Sequence, residues 1–539
     1  CSMEHMTQLQ KTFFKRWEGE DPWTYREEET TDVEMEAREK TMRRLIMESE
    51  RYEDFRAKIL EPSLKAVRGS LDGYLLKDYD IERMLAEEKD RGVIRRLVSR
   101  DIIPDDRADK YRLLMKSPDW KTIKSNWNKL QRTVEKSFNT ETKMRVFAYN
   151  DKMETDTVMT PLDSIKYHRM FLQLGSISVD PKTGHVKSWV GGINHKYFQF
   201  DHVRTNRQVG STFKPFVYAT AIAQQGISPC FEVDDIPYTI HQGEGNFNLL
   251  EDWTPTNAND RYSGERFTLR RGLQFSKNTV SVYLMKQLGD AEPVRDLVQQ
   301  MGIPKTKVPP APSICLGATD LSVFEMAGAY TTFANNGIYS RPIFIARIVD
   351  NNGREIYVAE PEEHQALHPN PNYVMLDMLK STVTQLGGRK GFGGLKSEIG
   401  GKTGTTNDYV DGWFMGITPD LVVGTWVGGE DRWVRFRDIR YGIGATMARP
   451  FFAKLMQKLE NTEGVDYDNS LRFVRPPGDI GIVMNCAEYI SPLGEGEEGE
   501  FMDGEDPNAF GDEDPFGGED AFGGEDSFGE PVDTSGVIQ

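Results

Sequence analysis

Near the middle of the 539-residue chain stands Arg207-Gln-Val-Gly-Ser-Thr-Phe-Lys-Pro-Phe-Val-Tyr-Ala-Thr-Ala-Ile222, a glycine turn followed by an apolar run of helical character. Ser211 and Lys214 are three residues apart, so a helix would present both side chains on one face. A serine hydroxyl is a poor nucleophile until a base removes its proton, and a lysine amine with a lowered pKa can be that base. A helix N-terminus would add unpaired backbone N–H groups that suit an anionic intermediate. The run therefore predicts a serine nucleophile with its base three residues away.

The Ser-x-x-Lys pattern is short, and a solvated helix start with an ordinary lysine would look the same. Two further patterns follow it: Ser276-Lys-Asn278 in a predicted loop between helices, and Lys402-Thr-Gly404 with Thr405 in a predicted strand. Equally short matches occur earlier, at Ser137-Phe-Asn139 and at Lys182-Thr-Gly184, where a hairpin turn fully explains the second. Each match alone is weak, so the interpretation depends on their order and on their settings in a helix, a loop and a strand.

The net charge of −18 comes almost entirely from the last part of the sequence. Residues 494–539 contain 16 acidic side chains and neither lysine nor arginine, which leaves 68 acidic against 66 basic residues elsewhere. A nearly neutral remainder lacks the basic surface typical of nucleic-acid binding, so no nucleic-acid partner is predicted.

The cysteines are too scattered for a zinc-ligand set or a Cys-x-x-Cys redox pair, and neither a metal nor a cofactor is predicted. A disulfide between distant cysteines and the redox compartment both stay open. The longest apolar run, about residues 215–223, is far shorter than the ~20 residues of a membrane helix, and no signal peptide is visible. The four cysteines are Cys1, Cys230, Cys315 and Cys486.

Three regions are predicted along the chain. Residues 1–145 are dense in charge and carry apolar residues at helical spacing in Val33–Leu60 and Ile81–Val98, which indicates a helical linker or pedestal. Residues 146–493 alternate between strand-like and helix-like patterns and form the main predicted domain. Residues 494–539 repeat glycine, acidic residues and phenylalanine, and such a composition cannot offset its ordering entropy by burial. A disordered acidic tail is expected there, with a solubilising role favoured over partner binding.

Strands and helices in the main predicted domain follow from hydrophobic periodicity of two or of three to four residues. Turns rich in proline, glycine and asparagine separate the strands, at Asp180-Pro-Lys-Thr-Gly184, Asn351-Asn-Gly353 and Thr418-Pro-Asp420. The predicted strands are Phe171–Val179, His185–Val190, Arg341–Val349, Gly412–Ile417 and Leu421–Val427, and the predicted helices are Thr268–Gln274, Thr279–Leu288, Leu321–Asn335 and Phe451–Leu459.

The three motifs, in this order, resemble those of penicillin-recognising serine enzymes, and longer matches resemble the transpeptidase domain of bifunctional (class A) penicillin-binding proteins. The resemblance is strong over about residues 171–459, weak over the first 140 residues, which are similar to the family's interdomain linker, and absent in the tail. Full-length members carry a membrane helix and a glycosyltransferase domain that this sequence does not contain, so glycan polymerisation is not inferred. The longer matches are Arg207–Tyr218, Asp252-Trp-Thr-Pro-Thr-Asn257, Leu316-Gly-Ala-Thr319, Tyr330-Thr-Thr-Phe-Ala-Asn-Asn-Gly337, Gly401-Lys-Thr-Gly-Thr-Thr-Asn-Asp408 and Asp411-Gly-Trp-Phe414.

The resemblance implies an α/β (α+β) penicillin-binding and β-lactamase-like fold, with an antiparallel sheet flanked by helices. It implies D,D-transpeptidase activity on peptidoglycan stem peptides that end in D-Ala-D-Ala, with β-lactams as inhibitors that acylate the serine. Members of the family act in the periplasm, at the outer face of the cytoplasmic membrane. If the acidic tail binds partners instead of solubilising the chain, which the sequence favours less, cell-wall synthesis proteins are the class expected.

The resemblance also assigns a catalytic group. Ser211 attacks the carbonyl of the penultimate D-alanine, and Lys214 takes the serine proton. Ser276 and Asn278 relay protons and hold the lysine and the substrate amide.

The implied substrate-binding group follows one strand. Lys402, Thr403 and Thr405 bind the terminal carboxylate of the stem peptide, as a lysine and hydroxyls along a strand edge can. Gly404 lets the substrate backbone approach closely. The backbone N–H groups of Ser211 and Thr405 form the oxyanion hole, in which each donor typically contributes ~3–4 kcal/mol.

Rival interpretations come from three classes of protein. A nucleotide phosphate loop would need a glycine five residues before Gly401, and position 396 is a lysine, so that match fails. A D,D-carboxypeptidase or a β-lactamase-type hydrolase would share the three motifs and use water instead of an acceptor amine, and only the longer resemblance favours the transpeptidase. A catalytically idle scaffold that binds cell-wall synthesis proteins is the third hypothesis, and the intact set of motifs argues against it.

Overall fold

The computed structural model of the chain contains two compact units. One, here called the helical unit, is Gly19–His168; the other, here called the sheet unit, combines the residues up to Glu18 with the chain from Arg169 onward. The sequence predicted a boundary after residue 145, which lies inside the helical unit. Within the described part of the chain, no helix is long and apolar enough to cross a bilayer. The structure describes residues 2–28, 30–388 and 390–490, so the predicted acidic tail, residues 494–539, lies outside the described residues.

Helices and strands alternate irregularly along the sheet unit, whereas the helical unit contains helices and one hairpin. The helices are α1 (Ser2–Arg16), α2 (Asp32–Met47), α3 (Glu50–Ile59), α4 (Glu61–Val67), α5 (Asp78–Lys89), α6 (Val93–Ser99), α7 (Asp105–Lys116), α8 (Pro118–Phe138), α9 (Pro161–Arg169), α10 (Lys214–Gln225), α11 (Leu269–Gln274), α12 (Asn278–Leu288), α13 (Glu292–Gln300), α14 (Val323–Ala334), α15 (Pro369–Gln385), α16 (Ile439–Gly442), α17 (Gly444–Met447) and α18 (Arg449–Asn461). The strands are β1 (Thr142–Phe147), β2 (Glu154–Met159), β3 (Gln173–Val179), β4 (Val186–Val190), β5 (Arg207–Gln208), β6 (Glu232–Asp234), β7 (Arg266–Thr268), β8 (Asp320–Leu321), β9 (Ile338–Ser340), β10 (Arg347–Val349), β11 (Glu355–Val358), β12 (Glu363–Gln365), β13 (Gly400–Thr405), β14 (Asp411–Ile417) and β15 (Val422–Gly428).

The helical unit breaks two long predicted helical segments into shorter helices. Val33–Leu60 divides between α2 and α3 because the Ser49 side chain accepts a hydrogen bond from the backbone N–H of Tyr52 and so caps a new helix. Ile81–Val98 divides between α5 and α6 at Gly92, whose φ of +105° favours glycine. The longest helix, α8, buries one apolar face at three- and four-residue spacing: Trp120, Ile123, Trp127, Leu130, Val134 and Phe138.

An antiparallel sheet with the strand order β13-β14-β15-β3-β4 is the centre of the sheet unit. Helices cover both of its faces. A side chain added at Gly416 would meet Phe452 of α18, whereas one added at Gly424 would meet Ala327 of α14. The central strands β14 and β15 are buried along their whole length, as a sheet between two helical layers requires. The predicted antiparallel sheet flanked by helices is therefore confirmed.

One predicted strand, Arg341–Val349, is mostly wrong, because only its last three residues form a strand. Pro342 has no backbone N–H to donate to a ladder. The next residue, Ile343, exchanges hydrogen bonds with the β3–β4 hairpin: its N–H donates to Gly184 O and its carbonyl accepts from Val186 N–H. The segment therefore runs past the hairpin before it pairs at β10.

Helix α1 packs within the sheet unit although it stands at the start of the chain. The Gln10 side chain donates to Met170 O at 3.0 Å and accepts from Leu172 N–H at 2.9 Å, next to the start of β3. The His5 ring hydrogen-bonds to the carbonyl of Met447 at 2.6 Å. The apolar face of α1 is buried, with Met6, Leu9 and Phe13 each at most 4% exposed, and Trp17, directly after the helix, is 2% exposed.

A disulfide between Cys230 and Cys486 joins residues that are 256 positions apart. It fixes the end of the described chain to the segment before β6, where Ser228 Oγ also donates to Val483 O at 2.6 Å. Arg270 donates to Met484 O at 2.8 Å. The sequence left the cysteine pairing open, and the structure shows one disulfide within the sheet unit, Cys230–Cys486.

Reduction of this disulfide is expected to lower the melting temperature of the chain. Removing a long cross-link restores entropy to the unfolded state, which typically costs about 2–5 kcal/mol of stability. Calorimetry with and without dithiothreitol measures the effect. A Cys230→Ser/Cys486→Ser variant is the control, because its melting should not respond to the reductant; an unchanged melting temperature in fully reduced wild-type protein would contradict the expectation.

Candidate active site

The Ser211 segment forms one turn of 3-10 helix, Gly210–Phe213, which leads directly into α10. The backbone N–H of Lys214 donates to the carbonyl of Ser211, so serine and lysine share this turn. Gly210 has φ +52°, and a Cβ there would stand 2.6 Å from Thr405 O. Only glycine meets both conditions without strain, and it lets the serine turn contact β13 directly.

Strand β13 contacts the same turn at a second position. A Cβ at Gly404 would stand 2.7 Å from Val209 O and 2.8 Å from the Thr212 methyl carbon. The glycine of the Lys-Thr-Gly motif is therefore required by contact between strand and serine turn.

The Ser276 motif lies in the loop between α11 and α12, as predicted. Ser276 has φ +57°, a left-handed conformation that costs a non-glycine residue about 1–3 kcal/mol unless its surroundings hold it. Two backbone hydrogen bonds do so: Ser276 N–H donates to Leu273 O at 3.1 Å and Lys277 N–H to Gly272 O at 2.8 Å. This turn directs the Ser276 carbonyl and hydroxyl toward the two lysines of the other motifs.

The lysine amines join the three motifs. Lys214 Nζ donates to Ser276 O at 2.5 Å and to Asn278 Oδ1 at 2.8 Å, and lies 3.4 Å from Ser276 Oγ. Lys402 Nζ donates to Ser276 Oγ at 2.9 Å and to Thr403 O at 3.0 Å. Segments that are separated by more than 60 and more than 120 residues thus converge on one serine side chain.

Both amines are buried, and this decides their charge. Burial, and next the neighbouring Lys402, hold the pKa of Lys214 well below that of a free lysine. Burial lowers the pKa of Lys402 to about 7. The lowered pKa of Lys214 favours the neutral form of its amine near neutral pH.

A neutral lysine amine has two N–H donors and one lone pair. In Lys214 the two donors are used by Ser276 O and Asn278 Oδ1, which leaves the lone pair to accept a proton. The arrangement can therefore generate an alkoxide from a serine on the same helical turn.

Residues on the open side of the site are partly exposed, unlike the lysines behind them. Ser211, Ser276, Asn278, Thr403 and Thr405 all have intermediate exposure, so a ligand can reach them. The earlier matches to the motifs lie elsewhere: Ser137-Phe-Asn139 at the end of α8, and Lys182-Thr-Gly184 in the β3–β4 turn.

A second layer of residues, which sequence reasoning missed, holds the Ser276 loop. Asn278 N–H donates to Asn257 Oδ1 at 2.9 Å, and Asn257 donates to Asp235 Oδ1 at 2.7 Å. The fully buried Asp235 also accepts from Lys277 Nζ at 2.8 Å and from Thr279 Oγ1 at 2.6 Å. Asn257 ends a segment noted in the sequence, but an isolated aspartate such as Asp235 carries no comparable signal.

The charge on Asp235 is stabilised by these partners. Burial alone would raise the pKa of its carboxyl, but hydrogen bonds from Lys277, Thr279 and Asn257 outweigh burial and hold the pKa below its usual value. Asp235 therefore stays ionised, and its carboxylate holds the side chains of Lys277 and Asn257 in position through hydrogen bonds.

The other end of the serine segment is anchored by Arg207. Its guanidinium donates to Asp411 Oδ1 at 2.8 Å and to Gly429 O at 2.6 Å, at the ends of β14 and β15. Trp426 Nε1 donates to the same Asp411 oxygen at 2.9 Å, and the guanidinium stacks over the Trp426 ring at 4.6 Å. The arginine and the aspartate both belong to segments that the sequence singled out, and here they connect the serine turn to the sheet.

Two family models match the chain. The penicillin binding protein transpeptidase domain matches residues 175–457, which includes all three motifs. The penicillin-binding protein middle domain matches residues 110–172.

The chain is similar to curated proteins named penicillin-binding protein 1A. It is 34% identical to that of Neisseria meningitidis over 294 residues, which is 53% of this chain and 36% of the relative. It is 32% identical to that of Aquifex aeolicus over 315 residues, 58% of this chain and 41% of the relative. The chain thus spans well under half the length of these relatives.

Solved structures of similar proteins include penicillin-binding protein 1A from Haemophilus influenzae, with 23% identity, a TM-score of 0.47 and coverage of 55% of this chain and 49% of that one. PonA1 from Mycobacterium tuberculosis in complex with penicillin V has 22% identity and a TM-score of 0.47, covering 73% of this chain and 98% of that one.

Proposed function

We propose that this chain, which belongs to the penicillin-binding protein transpeptidase family, cross-links peptidoglycan stem peptides through a serine acyl-enzyme. One observation supports it above all: Lys214, Ser276, Asn278 and Lys402, from three distant segments, are joined by hydrogen bonds beside the Ser211 turn. A neutral amine with a free lone pair, next to a serine turn, is what acyl transfer requires.

In the first half of the reaction, Ser211 Oγ attacks the carbonyl carbon of the penultimate D-alanine while Lys214 Nζ takes the hydroxyl proton. The new ester bond forms as the peptide C–N bond breaks, and the terminal D-alanine leaves with a proton that returns through Lys214 and Ser276. Backbone N–H groups of Ser211 and Thr405 stabilise the oxyanion.

In the second half, the amine of a neighbouring stem peptide attacks the ester. The C–N bond of the cross-link forms, the ester C–O bond breaks, and the amine proton returns to Ser211 through Lys214. A β-lactam would enter the first half only: its ring amide opens on Ser211 and its leaving nitrogen stays attached.

Binding of the stem-peptide carboxylate is assigned to β13. Lys402 supplies positive charge, the hydroxyls of Thr403 and Thr405 supply donors, and Gly404 keeps the path open. The chain acts in the periplasm, at the outer face of the cytoplasmic membrane. The Cys230–Cys486 disulfide supports an oxidising compartment of that kind.

The proposal is tested by incubating the chain with a fluorescent penicillin and then with stem pentapeptides that end in D-Ala-D-Ala. A covalent one-to-one adduct and cross-linked dimers that appear together with free D-alanine are expected. Release of D-alanine without dimers would indicate the D,D-carboxypeptidase alternative, and rapid turnover of the penicillin the β-lactamase-type one.

Replacing Lys402 with alanine is expected to slow penicillin acylation about 10–100-fold, because hydrogen bonds from charged donors are typically worth about 1.5–3 kcal/mol. The rate is followed as fluorescent adduct against time. Lys182→Ala, in the same three-residue pattern within the β3–β4 turn, is the matched control and should acylate normally. Equal acylation rates for Lys402→Ala and Lys182→Ala would show that Lys402 has no role in acylation.

Replacing Asp235 with asparagine is expected to slow acylation about tenfold or more in protein that remains folded, since Lys277 then lacks its buried counter-ion. Asp235 is here a positioning residue. Its neighbour Asp234, half-exposed and paired with Arg266, gives the control Asp234→Asn. Acylation rates are measured per folded molecule, well below the melting temperature of each variant. A variant that melts lower but acylates at the wild-type rate would make Asp235 a stability residue only.

A further inference from the structure

The helical unit contains a groove of about 770 Å³ that is lined by basic and hydroxyl side chains. Its nine lining residues comprise four cations, five serines or threonines, and no carboxylate. Lys129, Arg132 and Lys136 come from α8, and Arg51 comes from α3. The groove is separate from the site described above.

The composition of the groove differs from that of the surfaces beside it. Lys124, one turn earlier on α8, pairs with Glu88 at 2.8 Å, and Arg56 on α3 pairs with Asp78 at 2.7 Å. Among the described residues, no ion pair includes any of the four groove cations, and Arg51 donates to Ser137 Oγ at 3.1 Å instead. Cations without counter-ions therefore gather where the same helices elsewhere pair theirs.

Helical spacing brings three of these cations onto one face. Lys129, Arg132 and Lys136 are three and four residues apart, so the charges are neighbours and repel one another. They span roughly 10 Å along α8 at 1.5 Å per residue. An anionic ligand would remove this repulsion, and the surrounding hydroxyls can donate to carboxylate oxygens.

We propose that the groove binds an acidic peptide and that its occupant is the chain's own segment of residues 494–539. That segment has 16 acidic residues and no lysine or arginine, which complements the groove in charge. Glu-Asp pairs recur in it: Glu505-Asp506, Glu513-Asp514, Glu519-Asp520 and Glu525-Asp526.

The spacing of these pairs sets how they bind. Six residues of chain reach at most ~20 Å, about twice the length of the cation row, so the groove holds one pair at a time. Four such pairs on one tether raise the effective concentration of the ligand without any new contact. The interaction is exchangeable and electrostatic, and salt weakens it.

The test is proteolysis of the full chain with Glu-C endoproteinase, with the cleavage of residues 494–539 followed by mass spectrometry. A free peptide of the same residues is digested in parallel, so that effects of salt on the protease cancel. At 20 mM salt, cleavage in the chain should be about fivefold slower than in the peptide, and at 300 mM salt the two rates should converge because screening shortens the range of the charges.

A charge-reversed variant, Lys129→Glu/Arg132→Glu/Lys136→Glu, should lose the protection at 20 mM salt. The matched control, Arg91→Glu/Arg95→Glu/Arg100→Glu, changes the net charge equally at exposed positions of the same unit and should keep it. Circular dichroism melting checks that both variants fold. Should the groove variant fail to fold, addition of poly-D-glutamate, which resists the protease, to wild-type chain gives an independent measurement: it should restore rapid cleavage.

Three outcomes would overturn the proposal. Equal cleavage of chain and peptide at 20 mM salt would mean that the tail is not bound. Loss of protection in the control variant would mean that net charge, not the groove, is responsible. Protection that disappears on dilution from 10 to 0.1 μM would assign the tail to another molecule's groove.

Discussion

Replacing Ser211 with alanine is expected to abolish covalent labelling by a fluorescent penicillin. The adduct is an ester on the serine oxygen, and alanine has no atom that can form it. Binding without reaction should persist, because Lys402 and the other β13 groups are unchanged. Intact mass after incubation with the β-lactam is the measurement.

The control for this variant is Ser381→Ala, which removes a half-buried serine of α15 whose hydroxyl donates to Met378 O in its own helix. Its labelling should equal that of wild type. Persistent labelling of Ser211→Ala would show that another residue is the nucleophile and would end the proposed mechanism.

Replacing Lys214 with alanine is expected to slow acylation by about 10²–10⁴-fold, the usual contribution of a positioned general base. The variant loses the group that accepts the serine proton and also leaves Ser276 O and Asn278 Oδ1 without their donor. The time course of adduct formation measures the loss, and Lys182→Ala is again the control. A Lys214→Ala variant that acylates at the wild-type rate would assign the base elsewhere.

The pH dependence of acylation tests the same lysine without removing it. The reactive form is the neutral amine, so the rate rises with pH as Lys214 loses its proton, and its lowered pKa moves that rise well below the range of a free lysine. The charge on Lys402 contributes to the lowering. In Lys402→Ala the rise should therefore shift to higher pH, whereas Lys182→Ala should leave it unchanged. A shift to lower pH in Lys402→Ala would contradict this electrostatic assignment.

The sheet and the motif settings could be predicted from the sequence because they depend on local signals. Alternation around Thr418-Pro-Asp420 predicted the β14–β15 hairpin to within one residue at each end of both strands. The left-handed Ser276 could not be predicted, since serine rarely adopts that conformation and only the surrounding backbone hydrogen bonds make it stable.

Residues whose roles depend on tertiary contacts could not be identified from the sequence, because no local pattern marks them. Asp235 looks like any surface aspartate, and only folding brings Lys277 and Asn257 to it. The Cys230–Cys486 pairing depends on a tertiary contact between residues 256 positions apart, which no local sequence pattern indicates. The roles of Ser211 and its companions stay predictions that the experiments above test.

The location of α1 makes the sheet unit a discontinuous domain, into which the whole of Gly19–His168 is inserted. A polypeptide that emerges N-terminus first must keep α1 unpaired until strands encoded more than 150 residues later exist to receive it. A fragment that begins at Arg169 would lack α1. It would expose to solvent the apolar surface of the sheet unit that Leu9, Phe13 and Trp17 cover. Each such side chain is worth roughly 1.5–3 kcal/mol when buried, so the trimmed fragment should be less soluble and less stable than the intact chain.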